Sequence, residues 1–80
     1  MHPPDSDTEK RIRSVLRRVA RLEGEYSATA DLFRDLGVKS IAALDLLLSL
    51  EEEFGVSIAD DAFGEARSVG QLARLVEGLR

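Results

Sequence analysis

Ser40-Ile41-Ala42-Ala43-Leu44-Asp45-Leu46-Leu47-Leu48-Ser49-Leu50-Glu51-Glu52-Glu53-Phe54-Gly55 decides how this 80-residue chain folds. The run is dense in strong helix formers. It opens on a serine that can accept a helix-start N–H as N-cap, and it closes on a glycine suited to the left-handed turn that ends helices. A helix from Ser40 to Phe54 is predicted. Its apolar residues are too many for one stripe. Leu46, Leu47, Leu50 and Phe54 follow one face, while Ile41, Leu44 and Leu48 follow a neighbouring face rimmed by Asp45, Glu51 and Glu52. The pattern leaves two readings open: the second stripe is a partner surface, or the helix is central and buried nearly all round.

Upstream, residues 23–39 show no sustained period and contain Gly24 and Gly37. They read as a long loop, pinned to the core by Tyr26, Leu32, Phe33, Leu36 and Val38, with one short helical turn over residues 31–36. Loops of more than about 12 residues are uncommon in compact domains and usually functional. This one ends at Ser40. Before it, Ile12, Val15, Leu16, Val19 and Leu22 recur at three- and four-residue steps, which predicts an amphipathic helix over residues 8–22. Its opposite face carries arginines and reads as a solvated surface. Downstream, Ala59 to Phe63 predicts one short helical turn ended by Gly64. Ser68 then caps a last helix with Val69, Leu72, Leu75, Val76 and Leu79 at helical spacing, weakened slightly by Gly70 and Gly78. Nothing reads as a strand. The fold class is all-α: three main helices plus one short one, with a flexible N-terminus over residues 1–7 and a single domain over residues 8–80.

Composition narrows the function. The chain has no cysteine and a single histidine, His2, so a thiolate metal site, a cysteine nucleophile and a His-based triad are excluded. No apolar run approaches the roughly 20 residues that cross a bilayer. Residues 1–7 resemble neither a secretory signal nor a transit peptide, which leaves the cytoplasm as the expected location. Residues 1–21 hold six bases and three acids, whereas residues 22–80 hold five bases and twelve acids. So acidic a body repels nucleic acid and attracts basic protein surfaces. Phosphate loops, zinc-binding helix motifs and calcium loops are all missing. Glu51, Glu52 and Glu53 point about 100° apart on a helix. They therefore cannot converge on one ion, and they read as a solvated or partner-facing acidic patch. No catalytic and no metal-binding residue is assigned.

One serine remains of interest. A cap is the ordinary role for Ser40, but a phosphate ester on its oxygen would also sit at the positive end of a helix dipole, near free N–H groups and Lys39. With that in view, the segments Asp31-Leu32-Phe33-Arg34-Asp35-Leu36-Gly37-Val38-Lys39-Ser40-Ile41, Leu44-Asp45-Leu46 and Leu50-Glu51-Glu52-Glu53-Phe54-Gly55-Val56 resemble those of acyl carrier proteins. The resemblance runs over the whole domain and implies a four-helix bundle. It also implies 4′-phosphopantetheine, delivered from coenzyme A by a holo-synthase (a phosphopantetheinyl transferase), on Ser40, with Lys39 as a phosphate neighbour. Acyl groups would ride as thioesters on the terminal thiol of that arm.

The resemblance further implies partners with basic docking patches that meet Ile41, Leu44, Asp45, Leu48, Glu51 and Glu52, in fatty-acid, polyketide, peptide or modified-lipid synthesis. A short acyl chain would be sheltered by Leu46, Leu47, Leu50 and Phe54. The family's usual Asp-Ser-Leu reads Lys39-Ser40-Ile41 here, and Ala42 and Ala59 also depart from its pattern, which points to a specialised member. A monomer is expected. The alternative is an unmodified helical adaptor that binds a partner through the same helix.

Overall fold

The computed structural model describes residues 6–80, so most of the expected flexible segment, residues 1–5, lies outside the described residues. Ser6 caps the first helix and Asp7 begins it. Helix α1 spans Asp7–Ala20, α2 Ala43–Phe54, α3 Asp60–Glu65 and α4 Val69–Leu79, and a 3-10 turn over Ser40–Ala42 leads into α2. Among the described residues there is no strand.

The start of α1 is fixed by a reciprocal cap. Ser6 Oγ accepts the Glu9 N–H at 3.1 Å, and the Glu9 carboxylate accepts the Ser6 N–H at 3.0 Å. Two free helix-start donors are thus satisfied, one residue earlier than the apolar period indicated. The helix ends at Ala20, short of the expected Leu22. Arg21 adopts a left-handed conformation (φ 54°) and the Leu22 N–H returns to the Leu16 carbonyl, closing the end while Leu22 packs against the core.

The core is the meeting of three apolar faces. Ile12, Val15 and Leu16 of α1, Leu46, Leu47, Leu50 and Phe54 of α2, and Val69, Leu72, Ala73 and Val76 of α4 are buried together. Leu32, Val38 and Ile58 from the connections complete it. Among the partial contacts, Tyr26, Phe33 and Leu36 pin the long loop as expected. The turn over residues 31–36 does not propagate into a helix. The Asp35 and Leu36 N–H groups both reach the Asp31 carbonyl, and Gly37 then takes φ 73°, which breaks the coil.

The arginine face of α1 is only partly solvated. Arg11 donates to the Glu53 carboxylate at 2.9 Å and to the Glu53 carbonyl at 2.8 Å, with its guanidinium 4.4 Å from the Phe54 ring centroid. Arg13 donates to the Tyr26 carbonyl at 2.9 Å and stacks over that residue's ring. Lys10, Arg17, Arg18 and Arg21 remain exposed. The two bound arginines fasten α1 to the end of α2 and to the loop.

Glycine explains a second departure. Gly64 does not end α3, which continues to Glu65. Gly70 lies in the first turn of α4, behind the Ser68 cap, and its N–H donates to the Ala28 carbonyl at 2.9 Å. A methyl group at Gly70 would stand 3.2 Å from that carbonyl oxygen, whereas one at Gly78 would meet nothing within 4 Å. The two glycines should therefore respond oppositely to alanine. Gly78→Ala should stabilise by a few tenths to about 1 kcal/mol through helix propensity, while Gly70→Ala should destabilise by about 1 kcal/mol by pushing the loop off α4. Urea unfolding of both variants checks this, and equal gains would mean that the loop yields freely.

Candidate functional site

Ser40 sits where the long loop turns into helix. Lys39 enters in extended conformation (φ −79°, ψ 141°), and the first turn bond runs from the Ala42 N–H to the Lys39 carbonyl at 2.9 Å. The backbone thus makes Lys39 the cap and Ser40 the first residue of the turn. This corrects the N-cap expectation for Ser40, whose hydroxyl is tied to no cap. Ser40 is exposed, and among the described residues its hydroxyl takes no hydrogen-bond partner. An accessible, uncommitted hydroxyl is what an external enzyme needs to esterify. Lys39, also exposed, stands beside it.

The stripe next to the serine faces solvent. Ile41 is 86% exposed, Leu44 63% and Leu48 52%, which decides between the two readings of α2: the helix is buried on one side only. These three are contiguous at helical spacing, and contiguous exposed apolar surface marks contact sites. Asp45 and Glu52 lie exposed along the same face. Glu51 does not join them. It is half-buried, and its carboxylate accepts the Ile58 N–H at 2.8 Å, holding the chain as it leaves α2 through Gly55. Glu53 is committed to Arg11. The acidic triplet therefore divides into one exposed carboxylate and two that bind the fold.

Sequence reasoning missed a groove beside Ser40. Phe33 and Val38 from the loop, Ala43 from α2, Phe63 and Gly64 from α3, and Arg67 line it together with the serine. These residues come from separate segments, so no spacing in the sequence announces them. Unlike Leu46, Leu47, Leu50 and Phe54, expected to shelter an acyl chain, the groove is open at Ser40 itself. Those four are core residues, with Leu46 and Leu50 at 0% exposure. At the rim, Arg67 donates to the two carboxylate oxygens of Asp31 at 2.7 and 3.3 Å, and its guanidinium stands 5.0 Å from the Phe33 ring centroid. The Leu32 N–H also reaches the Arg67 carbonyl at 2.8 Å. The loop that delivers Ser40 is in this way clamped to the segment joining α3 and α4.

Asp31 is the centre of that clamp. Besides Arg67, its Oδ1 accepts the Phe33 and Arg34 N–H groups at 2.9 and 2.8 Å. The Arg67 hydrogen bond, followed by the Arg34 and Phe33 N–H groups, holds its carboxyl down to a pKa of about 2, while Arg67 is shifted upward. A depressed acid contributes stability above its unfolded pKa and loses it as the group protonates in the fold. The clamp should accordingly be whole above pH ~4 and weaken as the pH falls toward about 2. At neutral pH, Asp31→Asn should speed hydrogen exchange at the Phe33 and Arg34 amides several-fold while leaving α1 and α4 protected. Unchanged exchange there would show that the loop holds its shape without the charge.

The residues present fit a phosphopantetheine ester. The hydroxyl is exposed and unpaired, a cation stands next to it, and a partly apolar groove adjoins it. In the wider comparison, the family described as "Phosphopantetheine attachment site" matches residues 10–76. The chain is 32% identical over 72 residues to an acyl carrier protein of Trieres chinensis, covering 89% of this chain and 90% of that one. It is 33% identical over 73 residues to one from Sinorhizobium fredii, covering 90% of this chain and 94% of that one. A solved Mycobacterium tuberculosis structure described as an acyl carrier protein superposes with a TM-score of 0.80 at 27% identity, covering 89% of this chain and 96% of that chain.

Proposed function

We propose, since this chain belongs to the acyl carrier protein family, that Ser40 is the residue that carries its 4′-phosphopantetheine. Ser40's exposure with an untied hydroxyl, at the end of the long loop and the head of the exposed α2 stripe, is the observation that carries this assignment. The prosthetic group supplies the thiol that a chain without cysteine lacks, and acyl groups are held on it as thioesters.

The protein's own part is presentation rather than catalysis. Its residues position the attachment point and offer a surface. Lys39 neighbours the phosphate and offsets its charge. Ile41, Leu44 and Leu48 make apolar contact with a partner enzyme, and Asp45 and Glu52 steer basic groups on it. Glu51 is left out of this set because its carboxylate already holds Ile58. Such encounters are weak and fast, since steering raises the on-rate more than the affinity. The partners are a holo-synthase and acyl-handling enzymes of a specialised pathway (polyketide, peptide or modified-lipid synthesis) in the cytoplasm, and the carrier works as a monomer. No helix among the described residues is long and apolar enough to cross a membrane.

The reading is tested by incubating the protein with coenzyme A and a broad-specificity holo-synthase and weighing it. A gain of one phosphopantetheine is expected. An unchanged mass with every such enzyme, including one from the native host, would favour the unmodified adaptor.

A further inference from the structure

The charges along α2 and its approach are sorted by sign. Residues 36–44 contain Lys39 and no acid, whereas residues 45–53 contain Asp45, Glu51, Glu52 and Glu53 and no base. Asp45, in the first turn of α2, has the sign the helix favours, but the charges at the two ends do not. The start of a helix carries the positive end of its dipole and favours anions, and its end favours cations. Lys39 stands immediately before the first turn, and Glu52 stands in the last turn of α2, which has no base. Both have the wrong sign for the fold. Glu51 and Glu53 are compensated within the protein by the Ile58 N–H and by Arg11. The Lys39 and Glu52 side chains are exposed and make no hydrogen bond or ion pair with any described residue. Two charges outside any ion pair among the described residues, each of the sign that weakens its own helix, stand at opposite ends of the exposed apolar stripe, with Arg18 lining a surface hollow together with Glu52.

We propose that this polarity specifies the partner: an enzyme surface that is acidic where Ser40 must enter and basic where α2 ends, about 20 Å away along 13 residues of helix. An apolar slot for Leu44 and Leu48 lies between the two. Lys39 is the specificity-determining residue, because it meets the rim of the partner's entrance when the serine is delivered. The proposal rests on Ser40 being the attachment site. Charge complementarity favours such a bipolar protein surface over a uniformly anionic one, which Asp45 and Glu52 would repel. It also allows a second copy of this chain, packed antiparallel so that Lys39 of each meets Glu52 of the other, and the test separates that case.

The probe is one broad-specificity holo-synthase in two forms, with the residues rimming its coenzyme A entrance changed to glutamate in one and to lysine in the other. Each form is assayed by mass gain on the wild-type carrier, Lys39→Glu and Glu52→Lys. Lys39→Glu should melt higher than wild type, because it restores the favoured charge at the helix start, so a slower reaction cannot be ascribed to misfolding. Wild type should be modified faster by the glutamate-rimmed form and Lys39→Glu by the lysine-rimmed form. The two rate ratios should differ by about tenfold at low salt and converge when salt screens the charges. Glu52→Lys should slow modification without reversing the ranking. The same ranking for wild type and Lys39→Glu would overturn the proposal. So would self-association of wild type in sedimentation that Lys39→Glu abolishes, since the face would then belong to a second copy. No mass gain in any of the three chains with either form or with the native host's own holo-synthase would overturn the Ser40 assignment itself, which is a different result from unreversed rates.

Discussion

Ser40→Ala is expected to abolish phosphopantetheine loading completely while leaving the fold intact. The effect is all or none because no neighbouring nucleophile can substitute: the chain has no cysteine, and an ester to the arm needs a hydroxyl that a transferase can reach. The cost to the fold should be small, because the Ser40 hydroxyl caps nothing and is exposed. Exposed changes away from caps and cores typically move stability by no more than about 0.5 kcal/mol. Ser49→Ala and Ser57→Ala should load like wild type, since neither stands at the head of α2. Intact mass after incubation with coenzyme A and a holo-synthase reads the first point, and a melting curve reads the second. A Ser40→Ala protein that still gained the arm would move the attachment site elsewhere.

The second large effect contrasts two leucines two residues apart on α2. Leu50 is 0% exposed in the core and Leu48 is 52% exposed. Leu50→Ala removes buried methyl and methylene groups and leaves a cavity, at a cost of roughly 2–5 kcal/mol. A domain of this size has only about 4–12 kcal/mol in total, so the variant should be marginal or unfolded at 37 °C. Leu48→Ala should change stability by less than about 0.5 kcal/mol, yet slow turnover with partner enzymes several-fold by removing apolar contact. Urea midpoints measure the first quantity and loading rates the second. If Leu48→Ala proved as destabilising as Leu50→Ala, the exposed face would be structural, and the docking role assigned to it would be wrong.

The helices were legible because each rests on a local, periodic signal. The 3.6-residue spacing of Ile12, Val15 and Leu16, the Ser68 cap and the Gly55 stop all act within a few residues of themselves, and the structure has each in place. Boundaries were less legible where a cap competes with the apolar pattern. Ser6 pulls the start of α1 forward, and Arg21 ends it before Leu22. The site was legible in one dimension only. Ser40 and the stripe beside it follow from helix geometry, but pattern alone could not show whether the second stripe of α2 was buried as well, because that depends on what packs against it. The groove was invisible, since Phe33, Ala43, Phe63 and Arg67 meet only after the loop is clamped through Asp31.

Two residues carried double meanings that only contacts could resolve. Glu51 reads as an acid for partners and proves to be the acceptor for Ile58. Gly70 reads as a weak point in a helix and proves to be the gap through which the loop reaches α4. In both cases the long-range hydrogen bond, absent from any local window, decides the role. The same contacts leave Ser40 itself untouched. The loop between α1 and the Ser40 turn, residues 21–39, is anchored at Asp31, Leu32 and Val38, yet delivers a serine that none of its anchors engages.

The most direct test is fragment mass analysis of the protein recovered from its native host, placing any phosphopantetheine on a single residue. The account predicts one arm, on the peptide containing Ser40, with a population bearing acyl groups on its thiol. An arm on any other serine, or a protein found only at its unmodified mass, would contradict it.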